Sequence, residues 1–128
     1  MIFGDTSFFV GWVDSADQWH ARAVQLSDSL PEDIVVSDLV IAESVTIVGS
    51  RKGGRPAHEL YEYFQDSCQI EFVDPEVLDE AMMTHLRFGG RLSLADCVSV
   101  ALMGRRKITN IVSFDTDFDR VKGLERVS

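Results

Sequence analysis

The chain has 128 residues, close to the commonest domain size, so one domain spanning 1–128 with one core is the expectation. Its 45% hydrophobic and 26% charged residues are ordinary for a globular protein, and no apolar run approaches the ~18–20 residues of a membrane span. A formal charge of −9 argues against a surface that grips nucleic acid through general basicity, and no basic segment followed by an apolar one marks the chain for export.

Residues 2–4 (Ile-Phe-Gly) form a short apolar run that stops at Asp5, which predicts a first strand. Asp5-Thr6-Ser7 offers N-cap chemistry for a helix over 8–13, and Asp17 for a second helix carrying Trp19, Ala23, Val24 and Leu26. The β-branched run 34–36 predicts a second strand. A long helix follows, capped by Ser37 or Asp38 and broken by Gly49, Gly53 and Gly54. Pro56 opens another helix, where its missing N–H is harmless. Residues 69–73 predict a third strand, and Pro75 starts a helix containing Val77, Leu78, Ala81 and Met82. Ser93 caps a further helix to about 106, a fourth strand lies within 108–114, and a short helix and an edge strand near 124–127 finish the chain. Strands alternating with helices predict an α/β fold, a three-layer α/β/α sandwich around a central, mainly parallel sheet.

Residues 112–120 read V-S-F-D-T-D-F-D-R, with Asp115, Asp117 and Asp119 at every second position. Carboxylates crowded in this way repel one another unless a cation or a solvated turn relieves them. An EF-hand calcium loop is excluded, because counting from Asp115 its hinge glycine is Arg120 and its twelfth-position glutamate is Arg126. In open parallel sheets, sites form at the carboxyl ends of strands where the strand order reverses. Asp5 ends the first strand and Asp115 the fourth, so central neighbouring strands bring Asp5, Asp115 and Asp117 to one crevice.

Two further acids fall in apolar helical contexts. Glu43 lies in V-I-A-E-S-V-T-I with Leu39, Val40, Thr46 and Ile47 at helical spacing, which predicts a largely apolar face. Asp96 lies in L-S-L-A-D-C-V-S-V-A-L, with Leu92 and Val100 one turn away on either side. Burying such carboxylates costs several kcal/mol unless they are paired or metal-bound, and no basic residue is spaced to neutralise either within its own helix. A divalent cation is the economical solution. Oxygen-only donors favour Mg²⁺ or Mn²⁺ and leave room for phosphate oxygens, which points to metal-assisted phosphodiester hydrolysis. Without Asp5, Glu43, Asp96, Asp115 and Asp117 the formal charge is −4, so the rest of the surface is only mildly acidic.

The order D-T-S near the N-terminus, A-E in the helix after the second strand, S-L-A-D in an apolar helix, and S-F-D-T-D-F-D resembles the PIN-domain family. More narrowly, it resembles the small VapC-like ribonuclease toxins. The resemblance spans essentially the whole chain. It implies Asp5, Glu43, Asp96 and Asp115 as catalytic acids, with metal held by Asp5, Asp96, Asp115 and Asp117, and Thr6, Ser7 and Ser93 in support. It also implies a Mg²⁺- or Mn²⁺-dependent endoribonuclease, an RNA substrate, an antitoxin partner and a homodimer.

Other readings fit less well. An aspartyl-phosphate phosphatase needs a D-x-D after the first strand, and a receiver domain needs an acidic pair there and a late Lys; neither is present. A non-catalytic PIN-like module that holds a metal or docks a basic partner is the remaining alternative. Cys68 and Cys97 have no metal or redox spacing, which predicts buried free thiols and fits a reducing cytoplasm. His20, His58 and His85 share no ligand spacing and are expected at the surface. Trp12 and Trp19 are expected in the core or at a dimer contact rather than as base-stacking platforms.

Overall fold

A computed structural model describes all 128 residues. In chain order the elements are β1 (Ile2–Gly4), α1 (Thr6–Val13), α2 (His20–Ser27), β2 (Ile34–Ser37), α3 (Asp38–Lys52), α4 (Gly54–Ser67), β3 (Cys68–Glu71), α5 (Pro75–Arg87), α6 (Leu94–Arg106), β4 (Asn110–Val112) and β5 (Glu125–Val127). A 3-10 helix, Thr116–Arg120, joins β4 to β5. The five strands form one sheet in the order β3-β2-β1-β4-β5, and every pairing is parallel. The chain builds outward from β1 through β2 to β3, then crosses back to place β4 on the other side of β1. The strand order therefore reverses between β1 and β4, the two strands that end in aspartates.

Sequence explains why these two strands are central. All of β1 and β2, and Ile111 and Val112 of β4, are buried, as expected for parallel strands covered on both faces. Helix α1 packs against α2 and α3, α3 against α4, and α5 against α6. The core joins Phe3, Phe8, Phe9 and Phe64 to Leu92, Met103, Ile111 and Phe118, all essentially inaccessible. Phe9 meets Phe64 edge-on with ring centroids 4.8 Å apart.

That ring also explains Gly4, the last residue before Asp5. A methyl group there would sit 2.5 Å from Phe9 Cζ, and Phe9 has no free volume to retreat into. Gly4→Ala is therefore expected to lower unfolding stability by about 1–3 kcal/mol through overpacking. A urea midpoint unchanged from wild type would contradict this packing.

Several boundaries differ from the sequence-based expectations. Helix α1 begins at Thr6 rather than at residue 8, and the Asp5 side chain makes no capping bond. Helix α3 continues through Gly49, where a Cβ would make an ordinary 3.5 Å contact with Ala57 Cβ of α4. Gly53, at φ +95°, makes the actual break. The strand expected over 69–73 is Cys68–Glu71, and the strand within 108–114 shortens to Asn110–Val112. His20 and His85, expected at the surface, are half-buried; each ring Nδ1 lies 2.7–2.8 Å from a carbonyl oxygen, of Gly11 and Leu92 respectively. Cys97 is buried as expected, whereas Cys68 is only half-buried. No helix is long and apolar enough to cross a membrane.

Candidate metal centre at the strand switch point

The β1/β4 pairing fixes the site. Phe3 pairs with Ile111 and Gly4 with Val112, and the Asp5 N–H continues the ladder by donating to the Val112 carbonyl at 3.1 Å. The next residue on β4's side is Ser113, fully buried. Its Oγ donates to Asp5 Oδ2 at 2.6 Å, and Ser7 Oγ donates to the same oxygen at 2.8 Å. Each serine is held in turn. The Phe114 N–H donates to Ser7 Oγ at 2.9 Å, and the Asp115 N–H donates to Ser113 Oγ at 3.0 Å. Two hydroxyls thus join the two strand ends and aim the Asp5 carboxylate.

The alternating aspartates divide because the chain turns into a 3-10 helix at Thr116. Asp115 caps that helix, its Oδ1 accepting the Asp117 N–H at 2.9 Å. Asp117 turns back toward Asp115 and Asp96, and one carboxylate oxygen from each of these three lies within 4.8 Å of the others. Asp119 points away and forms a two-pronged ion pair with Arg126 at 2.9 and 3.1 Å.

Asp96 reaches the trio from the first turn of α6, whose N-cap is Ser93. Ser93 Oγ accepts the Asp96 N–H at 3.1 Å, so the cap and the acid are placed by one bond. Burial first, then the charges of Asp5 and Asp115, push the Asp96 carboxyl up to about 7. Burial likewise raises Asp5, against its two serine hydrogen bonds. Asp5, Thr6, Glu43 and Asp96 line one small cavity, and a larger cavity of about 300 Å³ continues from it past Ser7, Asp115, Arg51 and Trp19.

Every acid expected from the sequence borders this crevice, but not in the same way. Asp96, Asp115 and Asp117 form the tight trio. Asp5 lies beside it, with one oxygen committed to serines. Glu43 departs from the expected buried apolar face. It is exposed on α3, because that helix buries Val40, Ile41, Ser44 and Val48 instead, and it makes no ion pair. Thr6 is buried in the crevice wall. The donor set is carboxylate and hydroxyl oxygen alone, and burial first, then the neighbouring carboxylates, raises Asp96 to about 7. That chemistry fits a hard divalent cation with Asp96, Asp115 and Asp117 as its nearest ligands.

Sequence reasoning did not single out Ser113, Asp14 or the placement of Arg51. Asp14, 3% exposed, accepts the Ala16 N–H at 2.9 Å and faces Arg51 at 3.3 Å and Lys52 at 3.8 Å. The Ala16 N–H, then Arg51 and Lys52, hold its carboxyl below the ordinary range. Arg51 also reaches Asp17 at 3.0 Å, which ties the α1–α2 loop to the end of α3 beside the crevice. For Ser113 a signal existed: a small hydroxyl residue directly after an apolar strand, opposite Asp5 in register. Ser113→Ala is expected to weaken Mn²⁺ binding about 10–100-fold, the usual effect of losing a group that orients a ligand. Calorimetric titration with Mn²⁺ checks it; unchanged affinity would remove Ser113 from the site.

The fold and crevice define a class: parallel α/β proteins with a carboxylate-lined site at a strand switch point. The PIN domain profile matches residues 2–124, and the chain belongs to the PIN domain family. It is 31% identical over 127 residues to the 23S rRNA-specific endonuclease VapC20 of Mycobacterium tuberculosis, covering 98% of this chain and 97% of that one. The crystal structure of that VapC20, a sarcin-ricin loop cleaving toxin, superposes with TM-score 0.87 at 29% identity over 94% of each chain. A toxin–antitoxin complex from Klebsiella pneumoniae shares the fold, with TM-score 0.76 at 14% identity over 100% of this chain and 97% of that one.

Proposed function

We propose that residues 1–128 act as a single divalent-metal-dependent endoribonuclease domain, the toxin of a toxin–antitoxin pair, with ribosomal RNA as its substrate class. The observation that carries this reading is the convergence of Asp5, Asp96, Asp115 and Asp117 at the β1/β4 switch point, in a chain 31% identical from end to end to a 23S rRNA endonuclease. Bound Mg²⁺ or Mn²⁺ supplies charge stabilisation at the scissile phosphate and lowers the pKa of the attacking water. Asp96, Asp115 and Asp117 hold the cation, and Ser93 fixes Asp96 at the start of α6. Asp5, aimed by Ser7 and Ser113, completes the ligand set through its uncommitted oxygen. Glu43, solvated and unpaired across the crevice, orients the attacking water and takes its proton. Thr6 shapes the wall between them.

The antitoxin is a partner that covers this acidic crevice with a basic side chain, and the active form is a cytoplasmic homodimer. The deciding experiment incubates purified protein with 23S rRNA in Mg²⁺, Mn²⁺ or EDTA. Discrete cleavage that needs the metal is the expected outcome. Metal binding without cleavage of any ribosomal RNA would defeat the reading.

A further inference from the structure

Beyond the acids lies a third cavity of about 460 Å³, bounded by Trp19, Arg22, Phe114, Thr116, Arg126 and Ser128. It is contiguous with the catalytic crevice, because Trp19 lines both and Phe114 and Thr116 flank Asp115. Trp19 stacks on Phe114 with ring centroids 5.0 Å apart and planes 6° from parallel. Phe114 is buried, whereas Trp19 is 42% exposed. A large apolar ring left this open is normally mobile or covered, but this one is fixed from several sides.

Asp17 Oδ1 accepts the backbone N–H of Trp19 at 2.9 Å, while Asp17 Oδ2 meets Arg51 at 3.0 Å. The ring nitrogen of the next residue, His20, lies 2.8 Å from the Gly11 carbonyl oxygen. Gly11 has no side chain, and its would-be Cβ lies 3.4 Å from Trp19 Cβ and 3.5 Å from Phe114 Cε2. Beside this aromatic wall stands Arg22, exposed, its guanidinium donating to Gln25 Oε1 and to the main-chain oxygen of Ser128, the last residue of the sequence. A half-open aromatic face, held in place and one step from the carboxylate crevice, suits a stacked nucleobase.

We propose that this cavity is a nucleobase subsite, in which the open face of Trp19 stacks on an unpaired base next to the scissile phosphate. The inference rests on the ribonuclease reading and adds to it a requirement for a single-stranded, splayed-out nucleotide at the cleavage site. At this exposure Trp19 lies outside the core that the sequence offered as one place for it.

The test uses full-length protein in Mg²⁺ and two hydrolysis-resistant phosphorothioate RNA oligomers, one carrying bases and one abasic at the central positions. Affinities are measured for wild type, Trp19→Leu and Trp19→Phe, with Tm recorded for each, alongside 23S rRNA cleavage by wild type. Wild type is expected to prefer the base-bearing oligomer about 5- to 150-fold, the range for one lost stack. Trp19→Leu is expected to bind the two equally, and Trp19→Phe to restore most of the preference. In a Trp12→Phe background, where Trp19 is the sole tryptophan, the base-bearing oligomer is expected to quench its emission. A cleaving wild type that binds both oligomers equally, or keeps its preference in Trp19→Leu, overturns the subsite alone. A wild type that neither cleaves nor binds overturns the ribonuclease reading and the subsite with it.

Discussion

Asp96→Asn is expected to reduce metal-dependent RNA cleavage by about a thousandfold or more while leaving the fold intact. Asp96 contributes one of three carboxylate oxygens lying within 4.8 Å of one another, and the other two come from a separate segment across the sheet. Without its charge the cation loses its only nearby ligand from α6, and with it the transition-state stabilisation it provides. Such stabilisation is worth several kcal/mol, and each 1.36 kcal/mol is a factor of ten in rate. The fold survives because the cap of α6 uses the backbone N–H of residue 96 and the hydroxyl of Ser93, which asparagine leaves in place. Initial rates on 23S rRNA in Mn²⁺, with circular dichroism of both proteins, check the result. Activity within tenfold of wild type would remove Asp96 from the metal site.

The acids of this site were legible in the sequence because each interrupts an apolar pattern, and such interruptions are local. Asp5 and Asp115 stop strands, and Asp96 sits at the start of an apolar helix, so a parallel-sheet topology alone brings them together. Glu43 shows the limit of that logic. Helix α3 is apolar nearly all round, so periodicity could not tell which face it buries; the fold buries Ser44 and Val48 and turns Glu43 to the crevice. The D-x-D-x-D run shows another limit. Period two suggests one face of a strand, but the 3-10 turn sends Asp117 to the metal trio and Asp119 to Arg126. Trp19 packs on Phe114 from the other end of the chain, and no local pattern encodes a pairing of that span. Ser113 carries a local signal, a hydroxyl directly after an apolar strand, but its partner Asp5 follows only from the β1/β4 register. Gly49 reads locally as a helix end, yet α3 runs on to Lys52 and the positive φ at Gly53 makes the break.

The metal-free protein is expected to lose stability as pH rises from about 4 to about 7, opposite to most acidic proteins. Asp96 titrates near 7 in the folded chain against an ordinary 3.8, so through this window the folded state keeps a proton that the unfolded chain has released. The stabilisation is complete below pH 4 and gone above 7. Three pKa units at 1.36 kcal/mol each give a ceiling of about 4 kcal/mol, and solvent screening of this partly exposed carboxyl, with sharing among the neighbouring acids, brings the expected loss to about 1–2 kcal/mol. Asp5, raised by burial, acts in the same direction. Asp14, Asp33, Asp74 and Asp119 are lowered by hydrogen bonds and cations, so they lose stability on acidification instead. Metal-free stability should therefore peak between about pH 4 and 5. Asp96→Asn should flatten the fall toward pH 7 and be more stable than wild type at pH 8 in EDTA. Mn²⁺ should reverse the order: at 100 times its Kd it adds about 2.7 kcal/mol to wild type, less as protons compete below pH 6, and little to the variant. Urea denaturation of both proteins at pH 4.5, 6 and 8, with EDTA or Mn²⁺, measures all of these terms together. A metal-free wild type equally stable at pH 5 and pH 8 would mean that burial and the neighbouring charges do not hold the Asp96 carboxyl above its ordinary range.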